Sequence, residues 1–111
     1  MGLELEVAEG VLRARLAGRF SGDDAPRFAE GVLGRLPRSK LVVVNMARVD
    51  YVSSSGLGAL VKLYKDLRDL GGSMAIAGAS ERIRGLFGLA GMSELIDFAE
   101  TERDAIVLLQ E

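Results

Sequence analysis

The sequence predicts one α/β domain built on a mixed β-sheet, with an N-terminal hairpin and about four helices. Three observations predict it. Two alternating segments flank Glu9-Gly10, as the strands of a hairpin do. Two wholly apolar runs, Leu41-Val42-Val43-Val44 and Met74-Ala75-Ile76-Ala77, read as strands covered on both faces. Around them apolar residues recur at helical spacing, so the element order is β-β-α-β-α-β-α-β-α. With 111 residues the chain has room for one core and not for two, and residues 1–111 are read as a single domain.

Each element has its own warrant. Leu3, Leu5 and Val7 alternate with Glu4 and Glu6; after the turn, Leu12, Ala14 and Leu16 alternate with Arg13 and Arg15. The facing Glu and Arg rows place opposite charges across a solvated strand face, each pair adding ~0.2–1 kcal/mol. Gly18-Arg19-Phe20-Ser21-Gly22 breaks the strand pattern. Asp23 or Asp24 can cap the next helix, with Pro26 in its first turn and Ala25, Phe28, Ala29, Val32, Leu33 and Leu36 along one face. Pro37 stops that helix. After the Leu41–Val44 run, Asn45 to Tyr51 reads as a short connection. Leu57, Leu60, Val61, Tyr64, Leu67 and Leu70 then form the stripe of a helix from Leu57 to Leu70, ended by Gly71-Gly72 in a left-handed cap. Ser80 caps a short helix carrying Ile83, Leu86 and Phe87, which Gly88 and Gly91 break up before Met92. Gly85, Gly88 and Gly91 suggest close helix packing or a mobile segment. Ile96-Asp97-Phe98 is a short last strand, and Thr101 with Asp104 opens a final helix with Ala105, Leu108 and Leu109 facing inward.

Composition excludes several classes of function. Hydrophobic residues at 49% and charged residues at 27% suit a folded globular chain, not a disordered one. A net charge of −2 lacks the basic excess of a nucleic-acid surface. No apolar run approaches ~18 residues, so no membrane span is expected. Met1-Gly2-Leu3-Glu4 lacks a signal peptide's basic start, and a cytoplasmic location is expected. Without histidine or cysteine there are no Ser-His-Asp triads, thiolate nucleophiles or common zinc sites, and the scattered carboxylates form no calcium loop. An enzyme is not expected, nor any cofactor or metal.

The most unusual stretch is Val52-Ser53-Ser54-Ser55-Gly56-Leu57-Gly58, three hydroxyls at a helix mouth followed by two glycines. It is no nucleophile elbow, because Val52 stands where the first glycine should be. Nor is it a P-loop, since no Gly-Lys-Ser/Thr follows. One reading is plain capping, because serine before a helix commonly satisfies backbone donors. The other is a regulatory site.

Three stretches in order resemble the STAS domain of bacterial anti-sigma factor antagonists: Leu16-Ala17-Gly18-Arg19-Phe20-Ser21, then Val42-Val43-Val44-Asn45-Met46, then Val49-Asp50-Tyr51-Val52-Ser53-Ser54-Ser55-Gly56-Leu57-Gly58. The resemblance continues through Gly72 and the Met74–Ala77 run to Gly78, and more loosely to Leu109. It implies a binding module switched by phosphorylation. In that family a serine two residues before the Gly-Leu-Gly run is modified by an anti-sigma factor that is also a serine kinase, and a PP2C-type phosphatase reverses the modification. Here that residue is Ser54. The implied partner-binding residues are Ser21, Asp23, Asn45, Ser53, Ser54, Ser55, Gly56 and Leu57, and a homodimer is left open. Where the family usually carries aspartate near the phosphoacceptor, this chain has Ser21, Asn45 and Ser53, with Asp23, Asp24 and Asp50 as substitutes close in sequence. Two further readings stand beside the switch: a scaffold or adaptor making constitutive contacts, and a small-ligand binder taking a nucleotide at the Ser54 helix mouth. Arg82 and Arg84 read as a solvated helix edge or a docking contribution; Met46, Tyr51 and Tyr64 read as packing or rim residues.

Overall fold

The computed structural model of the chain describes residues 1–35 and 40–111. Its elements are β1 (Gly2–Ala8), β2 (Val11–Phe20), α1 (Ala25–Leu33), β3 (Leu41–Val52), α2 (Ser54–Asp69), β4 (Ser73–Ala77), α3 (Glu81–Leu89), β5 (Asp97–Ala99) and α4 (Glu102–Gln110). The five strands lie in sequence order across one sheet, β1 antiparallel to β2 and every later neighbour parallel. The mixed sheet, its hairpin and the four helices agree with the sequence. Leu36 and Pro37, assigned to the end of the first helix, lie outside the described residues.

The helices divide unequally between the two faces of the sheet. The larger core packs Leu12, Leu16, Val44 and Met46 of the sheet against Phe28 of α1, Leu60 and Leu67 of α2 and Phe87 of α3. On the other face α4 covers a smaller cluster of Val11, Val43, Ala75, Ala77 and Ala105. Both faces of the central strands are therefore apolar, which is why their sequence runs do not alternate.

Two expectations about the strands need correction. The Gly18–Gly22 stretch does not end β2 at once, and the segment after Asn45 is not a loop: β2 runs to Phe20 and β3 to Val52. Their pairing continues through two register shifts, one between Arg15 and Ala17 and one between Gly18 and Arg19. Gly18 takes a φ of +81° at the second shift, a value that L side chains rarely adopt. Beyond Asn45, β3 has lost β4 as a neighbour and keeps only β2. Its buried residues there are Met46, Val49 and Val52, three apart, so the two-residue strand period disappears.

The helices show smaller differences. In α2 the exposed Leu70 leaves the predicted stripe and Leu63 joins the core. In α4 the exposed Leu108 gives way to Ile106, which packs beside Ala105 and Leu109. Gly71-Gly72 ends α2 as predicted: Gly71 has φ +82° and Gly72 N–H donates to Leu67 O at 2.7 Å. Gly85 and Gly88 sit within α3, and an added Cβ at either would meet nothing within 4 Å, so they serve no close packing.

The charged face of the hairpin is only half solvated. Glu4 faces Arg15 and Glu6 faces Arg13 as expected. Arg15 also donates to both carboxylate oxygens of Glu102 on α4, at 2.8 and 3.0 Å. Helix α4 therefore lies across the arginine row, and its first residue is the counter-ion.

Candidate functional site

The three adjacent serines have three different roles. Ser53 is the N-cap of α2: its extended backbone (φ −76°, ψ 165°) aims its Oγ at Gly56 N–H, which donates to it at 3.0 Å. That cap starts α2 at Ser54, three residues before its apolar stripe. Ser55 ties the helix to the β2–α1 loop, its Oγ accepting from Gly22 N–H at 3.2 Å and lying 3.2 Å from Ser53 Oγ. Ser54 is the first helical residue and is exposed; among the described residues its hydroxyl has no hydrogen-bond partner.

The backbone beneath the serines is held tightly. Ser53 N–H donates to Phe20 O at 3.0 Å, joining the last residue of β2 to the start of α2. A Cβ on Gly56 would stand 2.6 Å from the same carbonyl oxygen, so only glycine lets the helix approach the strand this closely. Gly58 has no such constraint, since nothing lies within 4 Å of an added Cβ. Leu57 is half-buried against the main core and anchors the first turn. The helix thus presents a fixed N-terminus, whose unpaired backbone N–H groups and dipole favour negative charge beside Ser54.

The other predicted site residues are divided. Ser21 lies next to Gly22, and its N–H and hydroxyl both donate to Asp24, at 3.0 and 3.1 Å. Asp24 occupies the N-cap position of α1 but its side chain does not cap the helix, because it turns back to Ser21. The Ser21 backbone N–H chiefly, helped by its hydroxyl, the N-terminal ammonium and Arg27, holds the Asp24 carboxyl below its ordinary pKa. Asp23 is exposed on the same loop. Asn45 is not joined to the serines: its Nδ2 donates to Glu102 at 2.6 Å, and its Oδ1 accepts from Ala47 N–H at 2.9 Å. The site residues brought together are therefore Ser53, Ser54, Ser55, Gly56 and Leu57, with Ser21 and Asp23 on the adjoining loop.

Asp50 and Arg82 join Ser54 in lining a cleft of about 210 Å3 between the end of β3 and the start of α3. Tyr51 forms part of its rim and stacks under Arg19 at 4.5 Å. The packing expectation holds for Met46, which is buried, and for Tyr64, whose hydroxyl donates to Leu95 O at 2.8 Å. Arg82 is exposed on the edge of α3 as expected, and the fold sets it beside a serine on α2, which nothing local in α3 could show.

The sequence model of the STAS domain matches residues 2–105. The chain belongs to the STAS domain family. This STAS domain is 25% identical over 99 residues to the anti-sigma-B factor antagonist of Bacillus subtilis, a match covering 89% of the chain and 91% of that protein. In fold it is similar to an anti-sigma factor antagonist from Mycobacterium paratuberculosis, with a TM-score of 0.85, 18% identity and coverage of 99% and 94% of the two chains. It is also similar to the Bacillus cell fate determinant SpoIIAA in its phosphorylated form, with a TM-score of 0.77, 20% identity and coverage of 96% and 98%. No helix among the described residues of the STAS domain is long and apolar enough to cross a membrane.

Proposed function

We propose that this STAS domain is a binding module of the anti-sigma factor antagonist type, switched by reversible phosphorylation of Ser54. The partner is an anti-sigma factor that is also a serine kinase, and a PP2C-type phosphatase restores the hydroxyl. The observation that carries this reading is the division of labour at the helix mouth. Ser53 and Ser55 are spent on the cap and the loop, while Ser54 is exposed and uncommitted. A kinase can take Ser54 without removing a hydrogen bond from the fold.

Charge explains the switch. Phosphorylation adds roughly −1.5 to −2 charges and three acceptor oxygens. The N-terminus of α2 tolerates them, because its dipole and free N–H groups favour an anion. A protein surface docked over Ser54 would have to bury a strongly hydrated dianion, and a mismatch of ~3 kcal/mol weakens binding about a hundredfold. The switch acts on the interface and leaves the fold alone. Incubating the chain with its cognate kinase and ATP and recording the intact mass tests the site: the expected result is one added phosphate, mapped to Ser54. Phosphate on Ser53 or Ser55, or none at all, overturns it.

One observation favours the constitutive scaffold instead. Asn45, at a position where the family usually carries an acidic residue, is engaged by Glu102 and not by the serines. Under the scaffold reading Ser54→Ala and Ser54→Asp bind every partner equally; under the switch Ser54→Asp binds the anti-sigma partner more weakly.

A further inference from the structure

The cleft beside Ser54 brings together groups from three elements: Asp50 near the end of β3, Ser54 at the start of α2 and Arg82 in the first turn of α3. Arg82 is exposed, and among the described residues no hydrogen bond or ion pair engages it. Arg84, two residues on, is occupied differently, its guanidinium lying 5.2 Å from the centre of the Phe98 ring. Among the described residues, Asp50 is the one carboxylate lining the cleft and Arg82 the one cation. On the far side of Ser55, the β2–α1 loop adds Asp23 and the Ser21-bound Asp24, and Arg19 is stacked on Tyr51.

A phosphate on Ser54 would bring roughly two negative charges into an opening that already holds a carboxylate. The α2 N-terminus offsets part of that charge, and a cation across the cleft would offset more of it. We propose that Arg82 receives the phosphate: once Ser54 is modified, its phosphate and the Arg82 guanidinium pair across the cleft and tie the start of α2 to α3. The proposal rests on the reading of Ser54 as the phosphoacceptor and adds where its charge is held. Arginine suits this role because its planar fork offers two parallel N–H donors to phosphate oxygens. At about 210 Å3 the cleft holds several waters, whose places the phosphate oxygens can take. The pairing fills the cleft with a hydrated ion pair in which one guanidinium offsets only about half of the phosphate's charge, so the modified face differs from the unmodified one in shape as well as in charge.

The test uses phosphoserine installed genetically at position 54, so that no kinase is involved. The phosphate is titrated by phosphorus NMR in the parent, Arg82→Gln, Arg82→Lys and Arg84→Gln. An adjacent guanidinium favours the dianion, so Arg82→Gln is expected to raise the phosphate's second pKa by roughly half a unit or more. Arg82→Lys should restore part of the shift, and Arg84→Gln should leave the parent value unchanged. Identical titrations in the parent and Arg82→Gln overturn the pairing, as does an equal shift in Arg84→Gln. Arg82 is exposed, and an unchanged melting midpoint of the unmodified Arg82→Gln protein confirms that the fold is intact. A flat titration removes the role of Arg82 alone, whereas an unmodified Ser54 in the kinase assay removes the acceptor reading.

Discussion

Replacing Ser53 by alanine takes away the acceptor for Gly56 N–H and should cost about 1 kcal/mol of stability in chemical denaturation. Ser54→Ala removes no hydrogen bond and should stay within about 0.5 kcal/mol of the parent. The two glycines downstream should separate in the same way. Gly56→Ala forces a methyl group to 2.6 Å from Phe20 O, and the overpacking should cost about 1–3 kcal/mol. Gly58→Ala meets nothing and should be neutral or stabilising by up to about 1 kcal/mol, because alanine loses less backbone freedom in a helix. At this scale the sequence was only partly legible. The family resemblance, anchored on Gly56-Leu57-Gly58, pointed to Ser54, but the roles of its neighbours depend on Gly22 and Phe20, more than thirty residues away. Of the two candidate caps, Asp23 and Asp24, the structure puts Asp24 at the N-cap position, but its side chain does not cap because Ser21 offers it two donors at once.

Among the elements, α4 gives the clearest prediction. Glu102 at its first turn accepts from Arg15 and Asn45, and chiefly through Arg15 its carboxyl is held below the ordinary glutamate pKa. A carboxyl depressed in the folded state stabilises the protein fully above its unfolded pKa of about 4.3. That contribution is lost as the pH falls through the lower folded value. Glu102→Gln should therefore cost about 1–3 kcal/mol at pH 7, with the gap to the parent narrowing in acid; denaturant titrations at pH 7 and pH 3 measure both. The sequence showed the Glu and Arg rows of the hairpin, but the Arg15–Glu102 pair spans 87 residues and leaves no local pattern. The hairpin, the two apolar strands and the α2 stripe were legible because each is a local repeat. The continuation of β3 to Val52 was not, because its bulged pairing with β2 replaces alternation with a spacing of three.

Taken whole, the molecule fixes the mouth of α2 at one end of its sheet and, among the described residues, leaves the Ser54 hydroxyl there without a partner. Ser53 is bonded to the last residue of β2, and Gly56 is packed against it, so the α2 terminus is part of the scaffold and not a loose loop. Under the proposed switch, a charge added at Ser54 changes what the surface can bind without changing what the core packs. The sequence carried the outline of this through a family resemblance, while the meeting of Asp50, Ser54 and Arg82 in one cleft had to await the fold. The most direct measurement of the central claim is calorimetric titration of the anti-sigma partner into the chain carrying either serine or phosphoserine at position 54, alongside the thermal midpoint of each form. The expected result is an affinity lower by about a hundredfold for the phosphorylated chain, with its midpoint unchanged. Equal affinities, or a weaker one accompanied by a collapsed midpoint, would contradict it.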